Sequence, residues 1–367
     1  MIAEFVKPND ARWSRILRET RHDFYHLPEY IEFAAKHEGG EPVVFYAEYG
    51  DDVFLAPLLL RGIPTELGRA HGLRDAATSY GYPSPILKSE NRPASLLRFL
   101  RAFAQCAVEE RIVTAFIRLH PMLSLPIDGL EKYGALFRHG QTVYIDLTLP
   151  SEQIWSQVRR DHRANLRKLD KSGFEAVMDD WDLYKPFMQL YRANMNRKDA
   201  SDFYMFSDDY FQDLRESLGG GLHLCAVLSP AGDVAAAGLF VVTNKIVQFH
   251  LSGTADGYLK QAPAKMMLDH VWRWAKEAGN EVFHLGGGVG GNDDSLFKFK
   301  AGFSDCRADF YTYRMVLDKQ KYGMLMNEHA EEFADSSNGD PHFFPGYRKP
   351  MGTRGFGEPT LEGAVSS

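Results

Sequence analysis

Residues 222 to 254 read LHLCAVL (222–228), the turn SPAGD, AAAGLFVVTN (235–244) and KIVQFHLSGT (245–254). Three runs rich in Val, Leu, Phe and Thr, separated by turn-forming residues, predict three strands joined in a hairpin meander. Pro263 then stands where the first turn of a helix tolerates it, and Met267, Val271, Trp274, Ala275 and Ala278 recur at helical spacing until Gly279 stops the run. EVFHL (281–285) follows as a strand, SLFKFKAG as a short helix with Asp294 as its cap, and DFYTYRMVLD (309–318) as a last strand. The order β-β-β-α-β-α-β commits this half of the chain to an α+β fold, with a mixed, mostly antiparallel sheet flanked by helices.

The first half repeats that order in weaker form. EPVVFYAEYG and DVFLAPLLLRG predict a hairpin, and DAATSYGYPSPIL leads to a helix at 93–110 with Leu96, Leu97, Leu100, Phe103, Ala104 and Ala107 on one face. RIVTAFIRL and QTVYIDLTL complete the unit. The repeat is one of element order, not of residues. At 367 residues the chain is long for one core, because single cores stop growing at roughly 250–300 residues. The reading is therefore two domains, 1–150 and 176–335, with a connecting helix at 151–175 that carries Ile154, Val158, Leu166 and Leu169 on one side. The Gly- and Pro-rich tail at 336–367 is expected to be an extended strap anchored by Phe343, Phe344 and Tyr347.

Charge narrows the function classes. A net charge of −7 removes any whole-molecule argument for nucleic-acid or membrane-surface binding and leaves only a local patch. One patch stands out, on the connecting helix: Arg159, Arg160, Arg163, Arg167 and Lys168. The start MIAEFVKPNDARW lacks the pattern of a signal peptide and no apolar run nears the roughly 18 residues of a membrane span, so a cytoplasmic location is expected. Cys106, Cys225 and Cys306 stand singly and read as inert thiols, and the 13 histidines show no ligand spacing, so no metal is predicted.

The stretch HLGGGVGGNDDSLFKFKAGFS (284–304) places glycines at 286, 287, 288, 290 and 291, a spacing that matches neither a Walker loop nor G-x-G-x-x-G. The repeated element order, the R-R-x-x-R-x-x-x-R-K helix and, most specifically, Leu296, Phe297, Phe299, Lys300 and Phe303 resemble the FemAB-like branch of the GNAT acyltransferases. That branch includes cell-wall aminoacyl-tRNA transferases and BioF2-like acyltransferases. The resemblance implies two tandem GNAT-like domains and attack by an acceptor amine on an activated carboxyl. It also makes SYGYPSPIL (79–87), with Tyr80 and Tyr82, the segment lining an acceptor pocket in the first domain, and makes the glycine loop a wall of the acyl-transfer site with Lys300 as its charged tip.

Such a transfer needs a cation or amide donors at the developing oxyanion and a group that accepts the amine's proton. Lys300 meets the first need. Asp293 and Asp294 are the candidates for binding the incoming ammonium or receiving its proton, although two adjacent aspartates ahead of a helix are more often a cap and an exposed acid. Tyr80, Tyr82, Tyr258, Gly287, Gly288 and Phe299 form the expected substrate-binding set, Phe299 reading also as core. No bound cofactor is predicted, only an activated donor. Acyl-CoA-binding GNAT domains carry glycines at the start of the long helix, where amides hold pyrophosphate, whereas here YLKQAPAKMM has none. The reading favours aminoacyl-tRNA as donor, with Arg159, Arg160, Arg163, Arg167 and Lys168 on its phosphates, and a small-molecule or peptide amine as acceptor. The alternatives are an acyl-CoA-dependent N-acyltransferase and a catalytically silent ligand- or RNA-binding protein.

Overall fold

Ile2–Val6 (β1) pairs antiparallel with Glu41–Tyr49 (β2), and β2 with Asp52–Gly62 (β3). Between β1 and β2 lie two helices, Ala11–Glu19 (α1), started by the Asp10 carboxylate on the Arg12 N–H, and Pro28–Glu38 (α2), with Pro28 in its first turn. Glu66–Ala70 (α3), Arg74–Ala77 (β4), Ile86–Lys88 (β5), Arg92–Glu109 (α4) and Ile112–Arg118 (β6) follow. β4 joins β3 to β6, and β5 pairs with β3. β2 and β3 are covered on both faces, which explains their near-continuous apolar sequences. Phe45, Phe54 and Ala56 meet Leu96, Phe99 and Phe103 of α4, while Val44, Tyr46 and Leu55 meet Trp13, Ile31 and Ala34 of α1 and α2. Each such fully buried large side chain contributes roughly 1.5–3 kcal/mol.

The remaining elements are Ala135–Asp146 (β7), Ser151–Gln157 (α5), Arg160–Lys171 (α6), Glu175–Met178 (β8), Tyr184–Arg197 (α7), Asp208–Leu218 (α8), Leu222–Leu228 (β9), Val234–Thr243 (β10), Ile246–Thr254 (β11), Ala264–Glu277 (α9), Val282–Gly286 (β12), Ser295–Lys300 (α10), Arg307–Val316 (β13) and Lys319–Glu332 (α11). The structure, a computed structural model, describes residues 1–198, 202–332 and 343–349. They divide into a first unit, Met1–Arg138 with the described residues from Tyr311 onward, and a second, His139–Phe310. The second unit's sheet runs β7-β12-β11-β10-β9-β8, antiparallel except for the β11–β12 pair. α9 covers one face of it, with Met267, Leu268, Val271 and Trp272 set among Val247, Phe249, Phe283 and Leu285. Both units are mixed, mostly antiparallel sheets flanked by helices, as the element order predicts.

Two boundaries and one buried stripe differ from those the sequence suggests. The helix expected over 151–175 is two helices inside the second unit, because Val158 and Arg159 are extended (ψ 123° and 145°) and the Arg159 N–H turns to the Gly302 carbonyl (2.8 Å). Residues from Tyr311 onward, assigned from sequence to the second domain, return to the first: Thr312–Val316 of β13 pair antiparallel with Thr114–Arg118 of β6. On α9 the buried stripe includes Leu268 and Trp272, and Trp274 sits at its margin against His223. Of the expected strap, only 343–349 falls within the described residues. There Tyr347 is buried with its hydroxyl on Thr114 Oγ1 (2.7 Å), and Phe344 stacks on Phe116.

Candidate active site

β11 and β12 run parallel through only three residue pairs, Ile246–Gln248 with Val282–His284. β11 continues to Thr254, whereas β12 ends at Gly286 and turns into the glycine loop. Beyond Gln248 the β11–β12 ladder ends and the two strands part. A bulge marks the same point: Leu239 opposes Leu251 and Phe240 opposes Phe249, so His250 is the extra residue. Bulges re-aim backbone groups beside active sites, and amide N–H groups at the mouth of a wedge suit a carbonyl oxygen that becomes an oxyanion. His284, fully buried in β12, holds Gln248 at the last pair of that ladder (Nδ1 to Oε1, 2.8 Å).

The glycine loop folds back on α10. Asp294 caps that helix: one carboxylate oxygen accepts the Phe297 N–H (2.8 Å) and the other accepts the Val289 N–H (2.9 Å) of the loop. Gly288 is required for that clasp, since a Cβ there would stand 2.0 Å from the Asn292 carbonyl oxygen and 2.4 Å from Asp294 Oδ1. Lys300, at the end of α10, is not an exposed tip. It is 2% exposed and donates from Nζ to the Gly287 carbonyl (2.5 Å), as a buried ammonium must find acceptors. Lys298, two residues earlier, is exposed, and so is Asp293. Phe299 packs in the core against Phe303 and His162.

His162 of α6 ties that helix to α10. Its ring is 1% exposed, lies 4.8 Å from the Phe303 ring and has Nε2 3.3 Å from Arg159 Nη2. Burial, then the nearby Lys265 ammonium, lowers its pKa to about 4. Arg159 is engaged locally, with Nε on Asp161 (2.5 Å), and Arg163 reaches the Trp155 carbonyl (3.5 Å). Arg160, Arg167 and Lys168 are exposed on α6, opposite buried His162, Leu166 and Leu169. Tyr258 lies apart from the loop, its hydroxyl on Asp233 in the β9–β10 turn (2.6 Å) and its ring edge-on to Phe174.

In the first unit Tyr80 and Tyr82 are buried, at 7% and 4% exposure. The Glu38 carboxylate accepts the Tyr80 N–H, and Gly81 has φ 111° with the Tyr25 ring where a Cβ would point. Two histidines fix this segment: His26 donates from Nε2 to the Ser84 carbonyl (2.8 Å), and His120, edge-on to Tyr82, pairs with Asp23 (2.8 Å) with both groups fully buried.

Residues 156–299, which hold α6, the β9–β10–β11 meander, α9 and most of the glycine loop with α10, match the family model described as an acetyltransferase (GNAT) domain. That stretch is similar to a GNAT acetyltransferase domain, and the fold is similar to that of FemX. Among solved structures, FemX is similar over 88% of this chain and 99% of its own (TM-score 0.69, 14% identity). L-PGS from Bacillus licheniformis is similar over 89% and 98% (TM-score 0.54, 15% identity). A C-terminal domain ascribed to a lysylphosphatidylglycerol synthetase of Agrobacterium fabrum is similar over 83% and 90% (TM-score 0.53, 16% identity). Comparison with curated protein sequences gives no match. Among the described residues no helix is long and apolar enough to cross a membrane, and no group of three or more His, Cys, Asp or Glu converges as metal ligands.

Lys198, at the C-terminal end of α7, is exposed, and desolvation first, then the Arg197 cation, lowers its pKa to about 8, with Lys300 adding to them and Asp294 opposing.

Proposed function

We propose that this acyltransferase forms an amide bond by moving an aminoacyl group from aminoacyl-tRNA to the primary amine of a small-molecule or peptide acceptor. The observation that carries the reading is the solvent face of α6, where Arg160, Arg167 and Lys168 offer three cations to phosphates. The start of α9 supports it. Ala262, in a left-handed conformation (φ 52°), and Pro263 stand where a glycine-rich turn would let amides approach a pyrophosphate. A lysylphosphatidylglycerol synthetase, named for an aminoacylated product, is among the structural neighbours.

In this reaction the amine nitrogen attacks the ester carbonyl carbon, a C–N bond forms, and the C–O bond to the terminal ribose of the tRNA breaks. In this reading Lys300 and the splayed edge of β11 meet the oxyanion. Tyr80 and Tyr82 are assigned to the acceptor.

The deciding experiment incubates the protein with candidate amines and either charged tRNA or acyl-CoA, and reads the mass gain. Binding to charged tRNA should weaken with salt at nearly one power of concentration per phosphate neutralised, and Arg167→Ala with Lys168→Ala should flatten the slope by roughly one to two. An unchanged slope would remove α6 from the site. Product from acyl-CoA alone would make the enzyme a CoA-dependent N-acyltransferase, the reading that the match to an acetyltransferase domain favours. Tight binding without product from any donor would leave a silent ligand- or RNA-binding protein.

A further inference from the structure

We propose that Asp294 is a positioning residue of the acyl-transfer step, which aims the Lys300 ammonium by tethering the glycine loop to α10. The inference rests on the acyl-transfer reading above, whichever donor it uses. It replaces the proton-accepting role expected of Asp294 from the sequence, since both carboxylate oxygens already accept backbone N–H groups.

A helix cap needs one acceptor oxygen, and Asp294 Oδ1 supplies it to the Phe297 N–H (2.8 Å). The second oxygen does something that capping does not require: Oδ2 accepts the Val289 N–H (2.9 Å), from the loop that precedes the helix. At the other end of α10, Lys300 Nζ donates to the Gly287 carbonyl (2.5 Å). One short helix therefore grips the loop from both of its ends, on either side of Gly288. That glycine lies so close to the cap that a Cβ would stand 2.4 Å from Asp294 Oδ1. Further along, the loop meets β7, where a Cβ on Gly140 would stand 2.0 Å from the Gly291 carbonyl oxygen.

The loop needs that support. Gly286, Gly290 and Gly291 have positive φ (79°, 65° and 78°), and glycine loses more backbone freedom on ordering than any other residue. Its internal hydrogen bonds, from the Gly291 N–H to the Gly288 carbonyl (3.1 Å) and from the Asn292 N–H to the Val289 carbonyl (3.2 Å), close single turns and set no direction relative to α10. The tether from Asp294 to Val289 supplies that direction. A buried ammonium points where its acceptor stands, so a displaced Gly287 carbonyl displaces Lys300 Nζ. In the acyl-transfer reading Lys300 meets the oxyanion, and a misplacement on the order of 1 Å costs about 10²-fold in rate. In this role Asp294 touches neither donor nor acceptor and acts through Lys300.

Asparagine and serine cap helices about as well as aspartate but offer a single acceptor oxygen. Asp294→Asn and Asp294→Ser in the full chain therefore keep the cap and lose the tether. Both should leave Tm nearly unchanged and, in a measurement that needs no substrate, speed deuterium exchange in the peptide spanning 286–292. With whichever donor and amine give product, both should lower kcat by about 10- to 10²-fold with KM little changed. In a Lys300→Met background Asp294→Asn should cost less than about twofold more, since the lysine that it aims is gone. Parent-level kcat in both variants would make Asp294 a helix cap only and remove the role alone. A loss confined to KM, losses that multiply in the double variant, or a fall in kcat without faster loop exchange would each overturn it too. A parent that gives no product from charged tRNA or acyl-CoA removes the acyl-transfer reading and the role with it.

Discussion

Lowering the pH from about 7.5 to about 4 should cost the second unit about 3 kcal/mol through one side chain, His162. In the folded chain its ring is enclosed by Phe299, Phe303 and the start of α6, and burial with the Lys265 cation lowers its pKa to about 4. In the unfolded chain it titrates near the ordinary 6.5. A depressed histidine pKa means that the unfolded state binds the proton first. Stability is therefore complete above about pH 6.5, falls between about 6.5 and 4, and levels off below. The difference of about 2.5 units corresponds to about 3.4 kcal/mol at 1.36 kcal/mol per unit. Urea denaturation of the parent and of His162→Leu at several pH values isolates the effect, because the carboxylates common to both cancel in the difference. The leucine variant should be the less stable near neutrality, and the gap should shrink by about 3 kcal/mol by pH 4. A gap that stays constant to within about half a kcal/mol would refute the buried neutral ring. His26, fully buried in the other unit and lowered to about 4 by burial and then by His120, should show the same window in its own variant.

Lys300→Met should lower kcat by about 10²- to 10³-fold, the loss expected for one oxyanion-stabilising donor, while Lys298→Ala retains near-normal turnover; equal activity of the Lys300 variant and the parent would remove Lys300 from the chemistry. Gly81→Ala should cost ~2–4 kcal/mol in thermal unfolding, because φ 111° is foreign to alanine and its Cβ would stand 1.9 Å from Tyr25 Cε1; an unchanged Tm would mean that the Tyr25–Tyr82 packing is not as described. Tyr80→Phe and Tyr82→Phe should raise the acceptor KM with Tm nearly unchanged, and a large fall in Tm with intact kinetics would make both tyrosines core residues only.

The elements legible in the sequence are those whose signals lie within one turn or one hairpin. The meander at 222–254, α4, α9 with its proline start, and the Asp294 cap of α10 follow from apolar spacing and turn residues, since a helix or hairpin satisfies its own backbone locally. The glycine loop with the F-K-x-x-F run is legible as well, and its family resemblance implies acyl transfer. α1, α2, α7 and α8 are not among the expected elements, although Trp13, Ile16 and Leu17 on α1, Phe187, Tyr191 and Met195 on α7, and Phe211, Leu214 and Leu218 on α8 recur at helical spacing and are buried. The break in the basic helix depends on the Gly302 carbonyl, 143 positions away (302 − 159), which draws the Arg159 N–H out of the helical pattern. The return of β13 to β6, the parting of β11 from β12, and the Lys300 ammonium on the Gly287 carbonyl are likewise choices among distant partners. Local propensity sets which segments become strands and helices; which edge each strand finds, and so which charges face each other, is settled only when the whole sheet packs.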